Sequence, residues 1–123
     1  MTEAWLDFSI LTRAGFPLQR YKAGDKIFVQ DDEGGSMYVV RSGRVNILTY
    51  GTVLESVGPN GMFGEMALID GSPRSATAVA SEPTEVAPID KTAFAHLVRQ
   101  DPEFALRVMR LLAERIRQMN ASL

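Results

Sequence analysis

Glu65 and Arg74 lie nine residues apart in the segment that carries most of the chain's chemistry, Phe63-Gly64-Glu65-Met66-Ala67-Leu68-Ile69-Asp70-Gly71-Ser72-Pro73-Arg74-Ser75-Ala76-Thr77. Gly64 permits close approach of the backbone, and a helical turn opening at Glu65 presents unpaired N–H groups at a positive dipole end, a ready place for an anion. A carboxylate there repels a phosphate but accepts hydrogen bonds well from a sugar hydroxyl. Arg74 brings the opposite chemistry, a planar fork of donors that pairs with phosphate oxygens through charge-assisted bonds. One ligand that satisfies both is a sugar phosphate. The competing reading is an internal Glu65–Arg74 salt bridge that braces a loop, a common arrangement of little energetic value. Phe63, Met66 and Leu68 read equally well as ordinary core.

Other chemistry-bearing residues lead nowhere comparable. The acidic run Asp31-Asp32-Glu33 lacks the spaced ligands and closing glutamate of a calcium loop, so it reads as a solvated turn. His96 is the single histidine, has no second metal ligand at useful spacing, and is expected to be half-buried packing. There is no cysteine, which removes thiolate metal sites, disulfides and a cysteine nucleophile together. With no convincing nucleophile and base pair either, an enzyme is not expected, nor is a metal or cofactor.

The elements that must position Glu65 and Arg74 follow from turn chemistry and periodicity. From Leu18 to about Ile89, short runs rich in Val, Ile, Phe, Tyr and Thr alternate with Gly, Pro, Asn and Asp at intervals of roughly ten residues, as in an antiparallel β-barrel or jelly roll. The predicted strands are 18–22, 26–30, 36–41, 44–49, 52–57, 76–80 and 84–88, with a short eighth near Met62. A short amphipathic helix over Thr2 to Ala14 precedes them, stopped by Gly15 and Pro17. Two helices follow, Lys91 to Arg99 capped by Asp90, and Pro102 to about Asn120 capped by Asp101. In the last, Phe104, Val108, Leu111, Leu112, Ile116, Met119 and Leu123 form one apolar stripe that must meet the barrel or another helix. Its arginines, Arg107, Arg110 and Arg117, are interleaved with Glu114 and read as a solvated face.

At 123 residues, 46% hydrophobic and 23% charged, the chain has the composition of a single globular domain, 1–123, with the barrel at 18–89 and the C-terminal helices at 90–121. A net charge of -2 gives no basic field for nucleic acid or an anionic membrane. No leader or apolar span stands out, so a soluble cytoplasmic protein is expected, without direct nucleic-acid or membrane contact.

The string Phe-Gly-Glu-Met-Ala-Leu, followed after a short loop by Pro-Arg-Ser-Ala-Thr, resembles the phosphate-binding cassette of cyclic-nucleotide-binding domains. These occur in cAMP-dependent kinase regulatory subunits, cyclic-nucleotide-gated channels and bacterial receptor-type transcription factors. The run from Tyr21 to Gln30 and the run Gly34-Gly35-Ser36-Met37-Tyr38-Val39-Val40-Arg41-Ser42-Gly43-Arg44-Val45 resemble the family's early strands and glycine turns, so the likeness extends over roughly Leu18 to Leu123.

The resemblance implies a regulatory binding domain whose ligand is cAMP, or secondarily cGMP. Glu65 would accept from the ribose 2'-hydroxyl, Arg74 would pair with the exocyclic phosphate oxygens, and the amides of Ala67 and Ser75 would complete the cradle beside Gly64 and Met66. The last helix would fold over the base as a lid, placing Met119 and Asn120 above the purine, with Val57 and Phe63 as apolar walls. The threonine and serine that some bacterial relatives place at the lid are Met119 and Asn120 in this chain, which leaves base selectivity open. A second reading keeps the barrel without a nucleotide, as an interaction domain that forms a homodimer through the last helix. The sequence stops at Leu123, as a stand-alone receptor or a piece of something longer would, and names no downstream effector.

Overall fold

The computed structural model describes Leu11 and residues 15–121. Most of the helix predicted over Thr2 to Ala14 lies outside the described residues; within it, Leu11 is helical and fully buried. Eight short strands then precede and flank a one-turn helix: β1 Gln19–Tyr21, β2 Lys26–Phe28, β3 Met37–Ser42, β4 Val45–Thr49, β5 Thr52–Val57, β6 Met62–Phe63, α1 Glu65–Asp70, β7 Thr77–Ala80 and β8 Thr84–Ile89. Two helices close the chain, α2 Lys91–Gln100 and α3 Glu103–Ala121. Every predicted strand is present, several trimmed by a residue or two where the turn residues take over.

The strands form two antiparallel four-stranded sheets, in the orders β1-β8-β3-β6 and β2-β7-β4-β5. The two-residue alternation of side chains along a strand decides what each sheet faces. In β3, Met37 and Val39 join the core beneath the helices, while Val40 and the partly buried Tyr38 join the core between the sheets. Strand β8 repeats this, with Ala87 and Ile89 toward the helices and Val86 toward the opposite sheet, and β6 sends Met62 one way and Phe63 the other. The central sheet is therefore apolar on both faces. The β3–β4 turn requires glycine at 43: its φ is +89°, and a Cβ there would lie 2.4 Å from the Pro83 carbonyl oxygen and from the Thr84 hydroxyl.

Asp90 caps α2 by accepting from the Ala93 amide at 2.8 Å. His96, expected to be half-buried, is exposed, because the neighbouring Leu97 takes the inward face of this helix. The apolar stripe of α3 divides into two parts. Phe104, Val108 and Leu111 are buried against α2 and the sheet, whereas Ile116 is 57% exposed, as are much of Leu106 and Met109. The stripe is thus not one uniform contact with the barrel. No helix among the described residues is long and apolar enough to cross a membrane.

Candidate functional site

The site is built where the sheet ends and α1 begins. Gly64 adopts φ +77°, ψ 13°, a left-handed conformation that turns the chain out of β6 and straight into the helix. The first-turn N–H groups of α1 have no carbonyl one turn back to pair with, and Gly64 supplies no side-chain cap. Helical spacing then sorts the side chains: Glu65, Ala67 and Leu68 point inward, and Met66 and Ile69 point out. The helix stops at Gly71, whose amide bonds the Ala67 carbonyl at 3.0 Å. The Ser72 amide and hydroxyl bind the Asp70 carboxylate, which tightens the turn that leads to Arg74.

Arg74 is 4% accessible. Its main chain is held by the loop between β2 and β3: its amide donates to the Asp32 carbonyl and its carbonyl accepts from the Asp31 amide, both at 2.8 Å. Its guanidinium lies 4.1 Å over the centroid of the Phe28 ring, a cation–π contact. Nη1 donates to the Gly64 carbonyl at 3.0 Å. Nε is the exception: it is buried and has no hydrogen-bond partner among the described residues. Burial lowers the pKa of the group from its ordinary value, and the Tyr38 hydroxyl, Asp32 and Glu65 oppose that shift. An orphaned buried donor on a cation is costly to keep, and an anion is what would relieve it.

Glu65 is equally buried, yet its partner is not Arg74. Among the described residues no ion pair joins the two, so the bracing salt bridge weighed from the sequence is absent. Glu65 instead accepts from Nη1 of Arg115, on α3. The same guanidinium donates through Nε and Nη2 to both carboxylate oxygens of Glu55, at 3.0 and 3.1 Å, and through Nη2 to the Met62 carbonyl at 3.0 Å. Burial acts to lower the Arg115 pKa, but the charges of Glu65 and Glu55 outweigh it and the net shift is upward.

Arg115 was not among the residues that the sequence singled out. The signal was present: it continues the buried series Phe104, Val108, Leu111 at the same spacing, and a cation on the inward face of a helix needs an anion within.

The structure thus brings Gly64, Glu65, Ala67 and Arg74 together around one turn. Ser75 follows Arg74 with its side chain exposed, and Met66 is about half exposed. Val57 and Phe63 are packed in the core between the sheets, Phe63 stacked on Tyr38 at 5.2 Å between centroids. Both are buried members of that core. Asn120 is exposed near the end of α3, and the side chain of Met119 lies outside the described residues.

Three comparisons bear on this geometry. The family model described as "Cyclic nucleotide-binding domain" matches residues 18–101. The chain is 36% identical over 113 residues to the cyclic AMP receptor protein of Thermus thermophilus, covering 88% of this chain and 52% of that one. It is 42% identical over 72 residues to the cAMP-dependent protein kinase regulatory subunit of Yarrowia lipolytica, covering 58% of this chain and 19% of that one. The crystal structure of the Thermus thermophilus catabolite activator protein superposes with a TM-score of 0.81 at 34% identity, over 95% of this chain and 58% of that one. The chain therefore spans about half the length of the bacterial receptor and about a fifth of the kinase subunit.

Proposed function

The chain belongs to the cyclic nucleotide-binding domain family, and from that premise we propose that it binds a cyclic nucleotide, cAMP in preference to cGMP, as a regulatory and non-catalytic module of the cytoplasm. The observation that carries this reading is Arg74, a buried guanidinium with an unpartnered Nε beside the opening turn of α1. A cyclic phosphate placed there takes that donor and the free amides of the turn, including Ala67, with Ser75 contributing its own amide. Glu65, one of whose oxygens is engaged by Arg115, keeps acceptor capacity on the other for a ribose hydroxyl. The preference for adenine is supported by the names of the two curated relatives, both cAMP proteins.

The output of binding is α3. Arg115 links this helix to Glu65, so a ligand that competes for or adds to the bonds of Glu65 acts on the helix directly. The shift it can produce equals its differential affinity for the two helix positions. The exposed Leu106, Met109 and Ile116, with the half-buried Ala113 between the last two, lie at three- and four-residue spacing, which supports a homodimer paired along α3. The ionic bonds of Arg107 with Asp101 and of Arg115 with Glu55 and Glu65 support a helix turned to its own chain and not to nucleic acid.

Calorimetric titration with cAMP and cGMP tests the reading. Saturable heat, stronger for cAMP, is the expected result. No heat together with no thermal shift at millimolar nucleotide overturns it in favour of an interaction domain that has kept the barrel alone.

A further inference from the structure

Two adjacent glycines, Gly34 and Gly35, stand in the loop between β2 and β3, and neither has a positive φ. Backbone conformation therefore explains neither of them. Space explains one. A Cβ on Gly34 would lie 2.8 Å from Nε and 2.8 Å from Nη2 of Arg74, and 3.0 Å from Cζ. A Cβ on Gly35 would meet nothing within 4 Å.

A carbon nearer to both nitrogens than to the carbon between them sits off the Nε–Nη2 edge of the guanidinium. It crowds, obliquely to the guanidinium plane, the same two nitrogens that an oxygen accepting from this edge must reach. The opposite side of the fork is already committed, since Nη1 donates to the Gly64 carbonyl and Phe28 covers one face. Nε, on the Gly34 side, is the buried atom without a partner among the described residues. The same loop fixes the Arg74 main chain through Asp31 and Asp32. Gly34 therefore lies on the element that holds the arginine and next to the edge that carries the unpartnered Nε among the described residues.

We infer that Gly34 is a positioning and specificity residue: its missing side chain keeps the Nε–Nη2 edge of Arg74 open for a phosphate oxygen and lets the guanidinium lie against Phe28. The inference rests on the nucleotide reading for its ligand, but its geometric core, a side chain at 34 crowding Arg74, does not.

The test compares Gly34→Ala, Gly35→Ala and Arg74→Ala by calorimetry with cAMP and by thermal unfolding without ligand. Gly34→Ala is expected to weaken binding about tenfold or more, because the buried arginine must leave its place. Gly35→Ala is expected to stay within about twofold of the parent, as for a substitution into open space. Without ligand, Gly34→Ala is expected to lower Tm when Arg74 is present and to leave it unchanged in the Arg74→Ala background. If Arg74→Ala weakens binding and Gly34→Ala does not, the inference is overturned while the nucleotide reading stands. If the parent chain or Arg74→Ala shows no role for the nucleotide, that reading falls, and the ligand-free comparison still decides: an equal Tm change in both backgrounds overturns the crowding.

Discussion

Arg115 of α3 donates to the carboxylate of Glu65 at the start of α1, and with its other nitrogens it clasps Glu55 of β5. One side chain thus fastens the last helix to the strand on one side of the site and to the helix on the other. Arg115→Ala leaves Glu65 buried without its cation, at a cost of up to roughly 3 kcal/mol, the low end for breaking a buried pair because Arg115 keeps some exposure. Urea unfolding measures it. A double-mutant cycle with Glu65→Ala should give a coupling above about 1 kcal/mol; additive losses would show that the pair does not hold the helix.

Arg74→Ala removes the buried cation from the phosphate cradle. The loss in cAMP affinity should be roughly 2 to 5 kcal/mol, or about 30-fold to several thousand-fold. An unchanged dissociation constant by calorimetry sinks the assignment of Arg74 to the phosphate.

Glu65 has two partners to lose, Arg115 within the chain and the ribose in the proposed complex, so Glu65→Ala alone is ambiguous. Comparing cAMP with its 2'-deoxy analogue separates them. The parent should prefer cAMP by roughly 1.5 to 3 kcal/mol, the value of a hydrogen bond to a charged acceptor, and Glu65→Ala should show no preference. A preference that survives the substitution assigns the hydroxyl to another residue.

The turn after α1 should report on acid. The Ser72 hydroxyl, and after it the Ser72 amide, hold the Asp70 carboxyl below its ordinary pKa. A carboxyl depressed in the folded state stabilises above its unfolded pKa, and that contribution is lost as pH falls through the lower, folded value. Ser72→Ala removes the larger cause and leaves the amide, so Asp70 should titrate at higher pH than in the parent. Carbon-detected NMR of the side-chain carboxyl checks this, and an unmoved midpoint refutes it.

The outward side of α3 can be tested by charge. Met109→Glu with Ile116→Glu places two carboxylates on the exposed apolar positions and leaves Phe104, Val108 and Leu111 in the core. Sedimentation should show a dimer become a monomer with the fold intact. A parent that is monomeric at all accessible concentrations removes the homodimer from the proposal.

The elements were legible because their signals are local. Tyr50-Gly51 and Ser42-Gly43 mark turns by residue type, and the alternation in Met37 to Val40 needs only its own strand to be read. The pairing of Glu65 was not legible, because its partner lies 50 residues away on a helix whose rotation depends on packing. The same reason explains the divided stripe of α3. Periodicity groups Ile116 with the face begun by Phe104, but at that turn Arg115 takes the inward position, bonded to Glu55 and Glu65, and Ile116 is left on the outer side. Gly34 was read as part of a glycine turn, and only the position of Arg74 shows what its missing side chain makes room for.

By itself, then, the sequence determined eight strands, the helices after them, and a segment from Phe63 to Thr77 in which a carboxylate suits a sugar and an arginine suits a phosphate. Residue type, turn propensity and short-range periodicity suffice for that. Only the tertiary structure decided that Glu65 and Arg74 are both buried yet not joined, that Arg115 answers the first, and that Nε of the second has no partner among the described residues. Those facts depend on which groups a folded chain removes from water together, and no window of neighbouring residues contains them.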